Sequence, residues 1–306
     1  ICGPDPEIYT SGQGCGGVFS GETGKIALIT GANSGMGKAS TAILADMGFH
    51  VVMLCRDQAR GRAAYEEITG VAGRRVDLML CDLGSMASIR SFVSSFRERF
   101  DKLDVLINNA GVITLDRRET MDGLELQFGV NHIGHFLLTT SLLDLLERSG
   151  SGRIVIYSSG AHKMGRVHFD DINLQLRYNV IRSSGQSKLA NLYFTRELAL
   201  RLRDRGSRVT VNACHPGAVA TQMGVDRDTG FGRSLVKMLK PLFQTPEQGC
   251  RTAVYLATSE EVANVSGEYF YKCKVARTSR RSKDMEAAGR LFDLSEAICH
   301  QGAAGG

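Results

Sequence analysis

The 306-residue chain contains no tryptophan and only 5 prolines. No apolar run in it approaches the roughly 18 residues of a membrane span, which excludes a stable span within this chain and leaves peripheral membrane contact open. Paired cysteines are also missing. Cys2, Cys15, Cys55, Cys81, Cys214, Cys250, Cys273 and Cys299 are dispersed without a Cys-x-x-Cys motif, and Cys55 and Cys81 lie inside apolar runs. Thiols placed this way fit buried, reduced side chains in a cytoplasmic protein. No charge of one sign dominates: 37 Lys and Arg are scattered among 32 acids, for a net +5. A nucleic-acid partner is therefore not expected, and a modest preference for anionic ligands is. The chain starts at Ile1 rather than Met, so the sequence leaves open whether a leader or anchor precedes it.

Glycine is plentiful, with 35 residues. Many fall in residues 1–24, "ICGPDPEIYTSGQGCGGVFSGETG", which hold no sustained period and read as an extension. From Lys25 short apolar runs alternate with amphipathic segments: "KIALIT", "HVVMLC", "RVDLML", "LDVLINN", "GRIVIYSS", "RVTVNAC" and "GEYF". Continuous Val/Ile/Leu runs suit strands buried on both faces, as in a parallel sheet covered by helices. Helical patterns lie between them: "GKASTAILADMG" ends in a glycine suited to a C-cap, and "SMASIRSFVSSFRERF" repeats its apolar residues at helical spacing. The expectation is an α/β fold, a single-domain, Rossmann-like doubly wound parallel sheet over residues 25–300 with a tail at 301–306.

Between the first strand and first helix stands "LITGANSGMGKAS". Glycines there let the chain turn sharply and bring backbone N–H groups to a pyrophosphate at the helix N-terminus, so Gly31, Asn33, Ser34, Gly35, Met36 and Gly37 form a candidate cofactor loop. The spacing is G-x-x-x-G-x-G rather than G-x-G-x-x-G, and structural glycines at a strand-to-helix turn are the plainer alternative. The next strand ends in "MLCRD". A carboxylate at that end usually holds the ribose of NAD, whereas an arginine accommodates a 2′-phosphate. Arg56 therefore favours NADP(H), with Asp57 equally able to cap the following helix.

Residues 30–37, "TGANSGMG", followed by "CDL", "NNAG", "VNHIGHF", "RIVIYSS", "SKLAN" and "HPGAVAT" in that order, resemble the short-chain dehydrogenase/reductase family. "SKLANLYFTREL" and "SGEYF" make the chain most similar to its retinol dehydrogenase-like branch, over roughly residues 24–296. The resemblance implies a hydride-transferring oxidoreductase. It places Asp82 and Leu83 against the adenine, and Asn109, Ala110 and Gly111 beside the sugar and phosphates. Asn131 would hold a helix and a relay water, or simply bend the helix. Ser159 would bond the substrate carbonyl, Ser158 would be structural, and Pro216, Gly217 and Thr221 would approach the nicotinamide. His132, His135, His162 and His215 have no metal-site spacing and are not expected to do chemistry.

The family pairs a tyrosine with a lysine four residues later, on one face of a helix. The lysine binds the nicotinamide ribose and lowers the tyrosine pKa, and the phenol then moves the substrate proton. "SKLAN" supplies Lys188, and four residues earlier stands Ser184. An alkyl alcohol is a far weaker acid than a phenol and is too short to reach the same point. Tyr157, Tyr178 and Tyr193 are the substitutes to test; strand alternation gives Tyr157 the facing of Ser159. Three readings stay open: an active NADP(H) oxidoreductase whose tyrosine was deliberately replaced, an altered enzyme using water, Ser184 or a neighbour, and a non-catalytic NADP(H) sensor or scaffold. Residues 222–245 fall where the family grows a substrate loop, and Val236, Met238, Leu239, Leu242 and Phe243 would give it an apolar face. That face would pack on the sheet, or else cover an apolar carbonyl or alcohol substrate or touch a membrane surface. Substrate identity and reaction direction are not encoded in these motifs, and a homo-oligomer stays open.

Overall fold

A computed structural model describes residues 24–217 and 245–301, together with the backbone of Tyr9–Thr10. Nine strands form one sheet: β1 (Tyr9–Thr10), β2 (Ile26–Thr30), β3 (His50–Cys55), β4 (Arg75–Leu80), β5 (Val105–Asn108), β6 (Arg153–Tyr157), β7 (Thr210–His215), β8 (Tyr269–Tyr271) and β9 (Lys274–Val275). Their order is β1-β4-β3-β2-β5-β6-β7-β8-β9, parallel from β4 through β8 and antiparallel at both edges. The seven apolar runs read from the sequence are β2 through β8, and the doubly wound parallel sheet is the fold observed.

The continuous apolar runs follow from burial on both faces. Leu28, Leu106, Ile154 and Val211 pack on one side of the sheet, while their neighbours Ala27, Ile29, Val105, Ile107 and Val155 pack on the other. Helices α1 (Gly35–Asp46), α2 (Gln58–Thr69) and, late in the chain, α8 (Pro246–Thr258) cover the second side. The first side is covered by α3 (Met86–Arg99), the run α4 (Leu126–Phe128), α5 (Gly134–Ser141) and α6 (Leu143–Arg148), the long α7 (Val180–Asp204), and α9 (Met285–Gln301), which lies along α7.

Local chemistry marks the helix boundaries. Gly48, at φ +83°, closes α1 by donating to the Ala45 carbonyl, as the C-cap glycine predicts. Asp57 caps α2 by accepting from the Arg60 N–H at 2.9 Å. Asn179 caps α7 in the same way through Arg182. Of the expected substrate loop only Thr245 is described, where it forms a capping box with Gln248 at the start of α8. The remainder of that loop, Thr221 and most of the glycine-rich extension lie outside the described residues. Among the described residues no helix is long and apolar enough to cross a membrane.

Strand order reverses between β2 and β5, where the crossovers from β2 and from β5 leave in opposite directions. The crevice outside the carboxyl ends of these strands is where open α/β sheets bind ligands. Every described residue named as a site candidate lies at this end of the sheet.

Candidate functional site

On one side of the crevice, Thr30 ends β2 and Gly31 turns away at φ +65°. A side chain on Gly31 would meet Ala110 at 3.0 Å, so the first glycine lets the chain after β5 close on the chain after β2. The buried Thr30 hydroxyl accepts the N–H groups of Asn109 and Ala110, both at 2.9 Å. Asn109 Nδ2 returns a bond to the Thr30 carbonyl at 2.8 Å. Gly37 has no room for a Cβ, which would lie 2.5 Å from that same amide nitrogen. Gly111 follows, half-buried, at the crevice.

The first turn of α1 begins at Gly35, φ +52°, and Met36 is buried beneath it. Ser34 stands at the N-cap, exposed, with no side-chain bond to the helix, and Asn33 beside it is half-buried. The first N–H groups of α1 thus lack a side-chain cap at the very crevice where a phosphate would be held. At the end of β3 the Asp57 carboxylate is committed to capping α2 and to Arg60, while Arg56 is exposed. Asp82 is half-buried and its carboxylate folds back on the Gly84 N–H at 2.8 Å. Leu83 is buried, and Gly134 lies so close to its carbonyl that a Cβ there would clash.

On the other side of the crevice the helix run α4–α5 is interrupted by a π turn at Gly129–Ile133. Such bulges free a carbonyl from the helix ladder and recur at functional sites. Asn131 sits in it, 2% exposed, and clasps the chain after β5: its Oδ1 accepts from the Val112 N–H at 2.8 Å and its Nδ2 donates to the Val112 carbonyl at 3.0 Å. The same Nδ2 reaches Ser187 Oγ at 3.4 Å, and Ser187 Oγ donates to the Ser184 carbonyl at 3.1 Å. Ser184 and Lys188 share one face of α7, both half-buried among fully buried neighbours. Among the described residues no hydrogen bond engages the Ser184 hydroxyl. Lys188 Nζ donates to the Tyr157 carbonyl at 3.3 Å, and burial pushes its pKa down to about 8.

Ser159 leaves β6 at the N-cap of a short 3₁₀ turn, Gly160–Lys163, where its Oγ accepts from the Ala161 N–H at 3.1 Å. Ser158 is turned inward and donates to the Lys188 carbonyl at 2.9 Å, which ties β6 to α7. The loop after Ser159 then presses Gly165 directly on Gly185: a Cβ on Gly165 would clash with the Gly185 carbonyl, and one on Gly185 would lie a tight 3.0 Å from Gly165 Cα, so the glycine beside Ser184 permits this close approach. Pro216 and Gly217 follow β7, half-buried; Gly217, at φ +84°, donates to His215 Nδ1 at 3.2 Å.

None of the substitute tyrosines takes the place of the missing phenol: Tyr157 is buried on the other side of the sheet, and Tyr178 and Tyr193 are hydrogen-bonded elsewhere. Strand alternation fails for Tyr157 because β6 ends there, and Ser159 lies beyond the pleat. The Tyr157 phenol is buried against the α1 and α8 side, and burial drives its pKa well above the ordinary value. Tyr178 precedes the α7 cap and donates to the Thr114 carbonyl at 2.7 Å. Tyr193 donates to the Arg281 carbonyl at 3.0 Å.

Two participants were not recognised in the sequence. Thr30 is the hub just described, and His135 joins the two sides of the crevice. Its Nδ1 meets the Asn131 carbonyl at 3.2 Å and its Nε2 meets the Thr30 hydroxyl at 2.9 Å. With Nδ1 donating to a carbonyl, Nε2 is left to accept from Thr30. Burial lowers the His135 pKa to about 4, so the ring is neutral at pH 7. The available signal was its place four residues after Asn131, one turn along the same helix run.

A model of the short chain dehydrogenase family matches residues 25–231. Human retinol dehydrogenase 14 is 44% identical over 294 residues, covering 90% of this chain and 86% of that protein. A crystal structure described as a putative uncharacterized protein from Mycobacterium paratuberculosis shares 32% identity at TM-score 0.74, covering 92% of this chain and 95% of that one. A putative short chain dehydrogenase from Escherichia coli CFT073, solved in complex with NADPH, shares the fold at TM-score 0.65 with 23% identity, covering 80% of this chain and 95% of its own. Sheet, crevice and relatives agree: the chain belongs to the short-chain dehydrogenase/reductase family of oxidoreductases, in its retinol dehydrogenase-like branch.

Proposed function

We propose that the chain is an NADP(H)-dependent oxidoreductase acting on the carbonyl or alcohol carbon of an apolar substrate, with Ser184 standing where the family carries its proton-transferring tyrosine. The observation that carries this reading is the single hydrogen-bonded line from Asn131 through Ser187 to the Ser184 carbonyl, with Lys188 one turn on. The apparatus around the tyrosine position is thus built and connected. The cofactor assignment rests on the crevice: uncapped N–H groups at the start of α1 for a pyrophosphate, and Arg56 for a 2′-phosphate once Asp57 is committed to α2. The NADPH in the Escherichia coli neighbour of this fold agrees with it.

When bound, the nicotinamide supplies or takes the hydride. The chain's own residues do the rest. Ser159 orients the carbonyl oxygen, Lys188 offers its ammonium to the ribose hydroxyls, and Asn131 holds the helix break that lets a water approach. Asp82 and Leu83 flank the adenine, Asn109, Ala110 and Gly111 the sugar and phosphates, and Pro216, Gly217 and Thr221 the nicotinamide. Ile113, Leu115, Met164, Leu176 and Ile181 are exposed on segments at the same end of the sheet, which suits an apolar substrate covered by a loop at 222–245. One catalytic domain then runs from Lys25 through α9. The free thiols, five of the six described being buried, agree with a cytoplasmic setting.

Equilibrium titration with NADPH and NADH tests the cofactor. NADPH binds the more tightly, and Arg56→Ala reduces that preference by about tenfold, the equivalent of one charge-assisted bond at ~1.4 kcal/mol. Equal affinity for the two nucleotides in the unaltered chain would sink the assignment.

A further inference from the structure

We propose that Lys188 is the proton donor for carbonyl reduction by this chain, passing its proton to the substrate oxygen through a water lodged over Ser184. The inference rests on the reading of the site as a reductase whose tyrosine position is Ser184. It goes beyond that reading by assigning the vacated proton-transfer role to a specific group.

Geometry is the first support. Lys188 lies on the same face of α7 as Ser184, one turn away, and Ser184 carries only a short hydroxyl where the family has a phenol. The described contact of Nζ is a single long bond, 3.3 Å, to the Tyr157 carbonyl, which leaves further N–H groups to donate. Among the described residues no carboxylate forms an ion pair with it. A half-buried cation held by one carbonyl is poorly compensated, and giving up a proton relieves that cost.

The groups described beside it agree, and the 3₁₀ turn packed on α7 adds His162, which burial holds below its ordinary value. β6 presents the Tyr157 carbonyl to Nζ and the Ser158 hydroxyl to the Lys188 main chain. β7 presents Cys214, whose thiol burial holds strongly protonated. α5 presents His135, neutral at pH 7, whose own titration Lys188 opposes. The π turn presents Asn131 through Ser187. None of these is an acid near neutrality, and the lysine, lowered to about 8, is. Tyr178 and Tyr193 are hydrogen-bonded elsewhere, and the Tyr157 phenol is buried on the other side of the sheet, where burial raises its pKa.

The step balances without a further reagent. The carbonyl carbon accepts the hydride that the bound cofactor supplies, and the C=O π pair becomes a lone pair on oxygen. The water gives that oxygen a proton, forming the alcohol O–H. A Lys188 N–H bond breaks to restore the water, and solvent reprotonates the neutral amine. The same path runs backwards for alcohol oxidation.

Competitive acetylation with acetic anhydride, read by mass spectrometry on the chain without cofactor, gives the titration of Lys188 directly. Residual NADPH-dependent reduction of an apolar aldehyde is followed over the same pH range in the unaltered chain, in Lys188→Arg and in Ser184→Tyr. The expected result is a Lys188 midpoint near pH 8, with residual turnover falling about tenfold per pH unit above that midpoint. Lys188→Arg, which stays charged and cannot donate, loses that turnover even at saturating NADPH. A Lys188 midpoint above about 10, like an exposed amine, overturns the proposal; so does turnover that is flat with pH or retained in Lys188→Arg. If Ser184→Tyr reduces the aldehyde and the unaltered chain does not, the lysine proposal falls and the reductase reading stands. If Ser184→Tyr binds NADPH and reduces no carbonyl in a panel of apolar aldehydes and ketones, the reductase reading fails and takes the proposal with it.

Discussion

The two sides of the crevice are built to different standards. On the β2 side the polar groups are closed on one another: Thr30 takes two N–H groups, Asn109 returns a bond to the Thr30 carbonyl, and His135 locks Thr30 to Asn131. On the α7 side the functional atoms are loosely held, with the Ser184 hydroxyl unengaged and Lys188 resting on one long bond. A rigid frame for holding a ligand needs most of its buried donors and acceptors satisfied, because each one left over, as Asn108 Oδ1 is, costs about 1–3 kcal/mol. A proton-transfer site needs the opposite, groups whose bonds are free to change during the reaction.

That contrast can be broken from either side. The largest effect is expected on the loose side: Ser184→Tyr restores a positioned phenol and raises carbonyl reduction by about 10²- to 10⁴-fold. Steady-state kinetics with NADPH checks it, and a gain below about tenfold would mean that the rest of the site is not poised. On the closed side, Thr30→Val keeps the shape but strands the Asn109 and Ala110 N–H groups, at a cost of about 1–3 kcal/mol in denaturant-midpoint measurements. A loss within ~0.5 kcal/mol, ordinary for a surface change, would show that the hub is not structural.

Acid should act on the fold as well, through two buried histidines. Burial lowers His132 to about 3 and His135 to about 4, both below the ordinary 6.5. Their neutral forms support the fold fully above pH 6.5. As pH falls below that value the unfolded chain takes up protons that the folded chain refuses, so stability falls. The maximal slope is about 1.4 kcal/mol per pH unit for each histidine. Urea midpoints between pH 7 and pH 4.5 measure the slope, and His135→Gln should remove one histidine's share. The smallest effect belongs to Asp57→Ala, which costs about 1 kcal/mol of stability through the lost cap. The preference for NADPH over NADH should not move; a swing further toward NADPH would reassign Asp57 to the ribose.

Much of this was legible because local chemistry and tertiary role coincide. The apolar runs had to be strands buried on both faces, Gly48 had to end α1, and Asp57 could serve as a cap. Tyr157 shows where such reasoning stops. Strand alternation put its phenol beside Ser159, but alternation holds only while the pleat continues, and β6 ends at Tyr157 itself. His135 was set aside for lacking metal-site spacing, a criterion blind to a neutral ring wired between Thr30 and Asn131 across 105 residues of sequence. Nothing in the sequence around Gly185 signals that Gly165 presses against it.

By itself, then, the sequence determined the sheet, the glycine turn, the one-turn spacing of Ser184 and Lys188, and the missing phenol between them. These follow from periodicity and from the φ/ψ needs of single residues, which neighbours along the chain already dictate. Only the tertiary structure decided that the tyrosines nearby are buried or bonded away from position 184, that no carboxylate among the described residues pairs with Lys188, and that the two sides of the crevice differ in how tightly their polar groups are closed. Those are facts about burial and about partners distant in sequence, and a hydrogen bond's partner is chosen by the fold rather than by spacing along the chain.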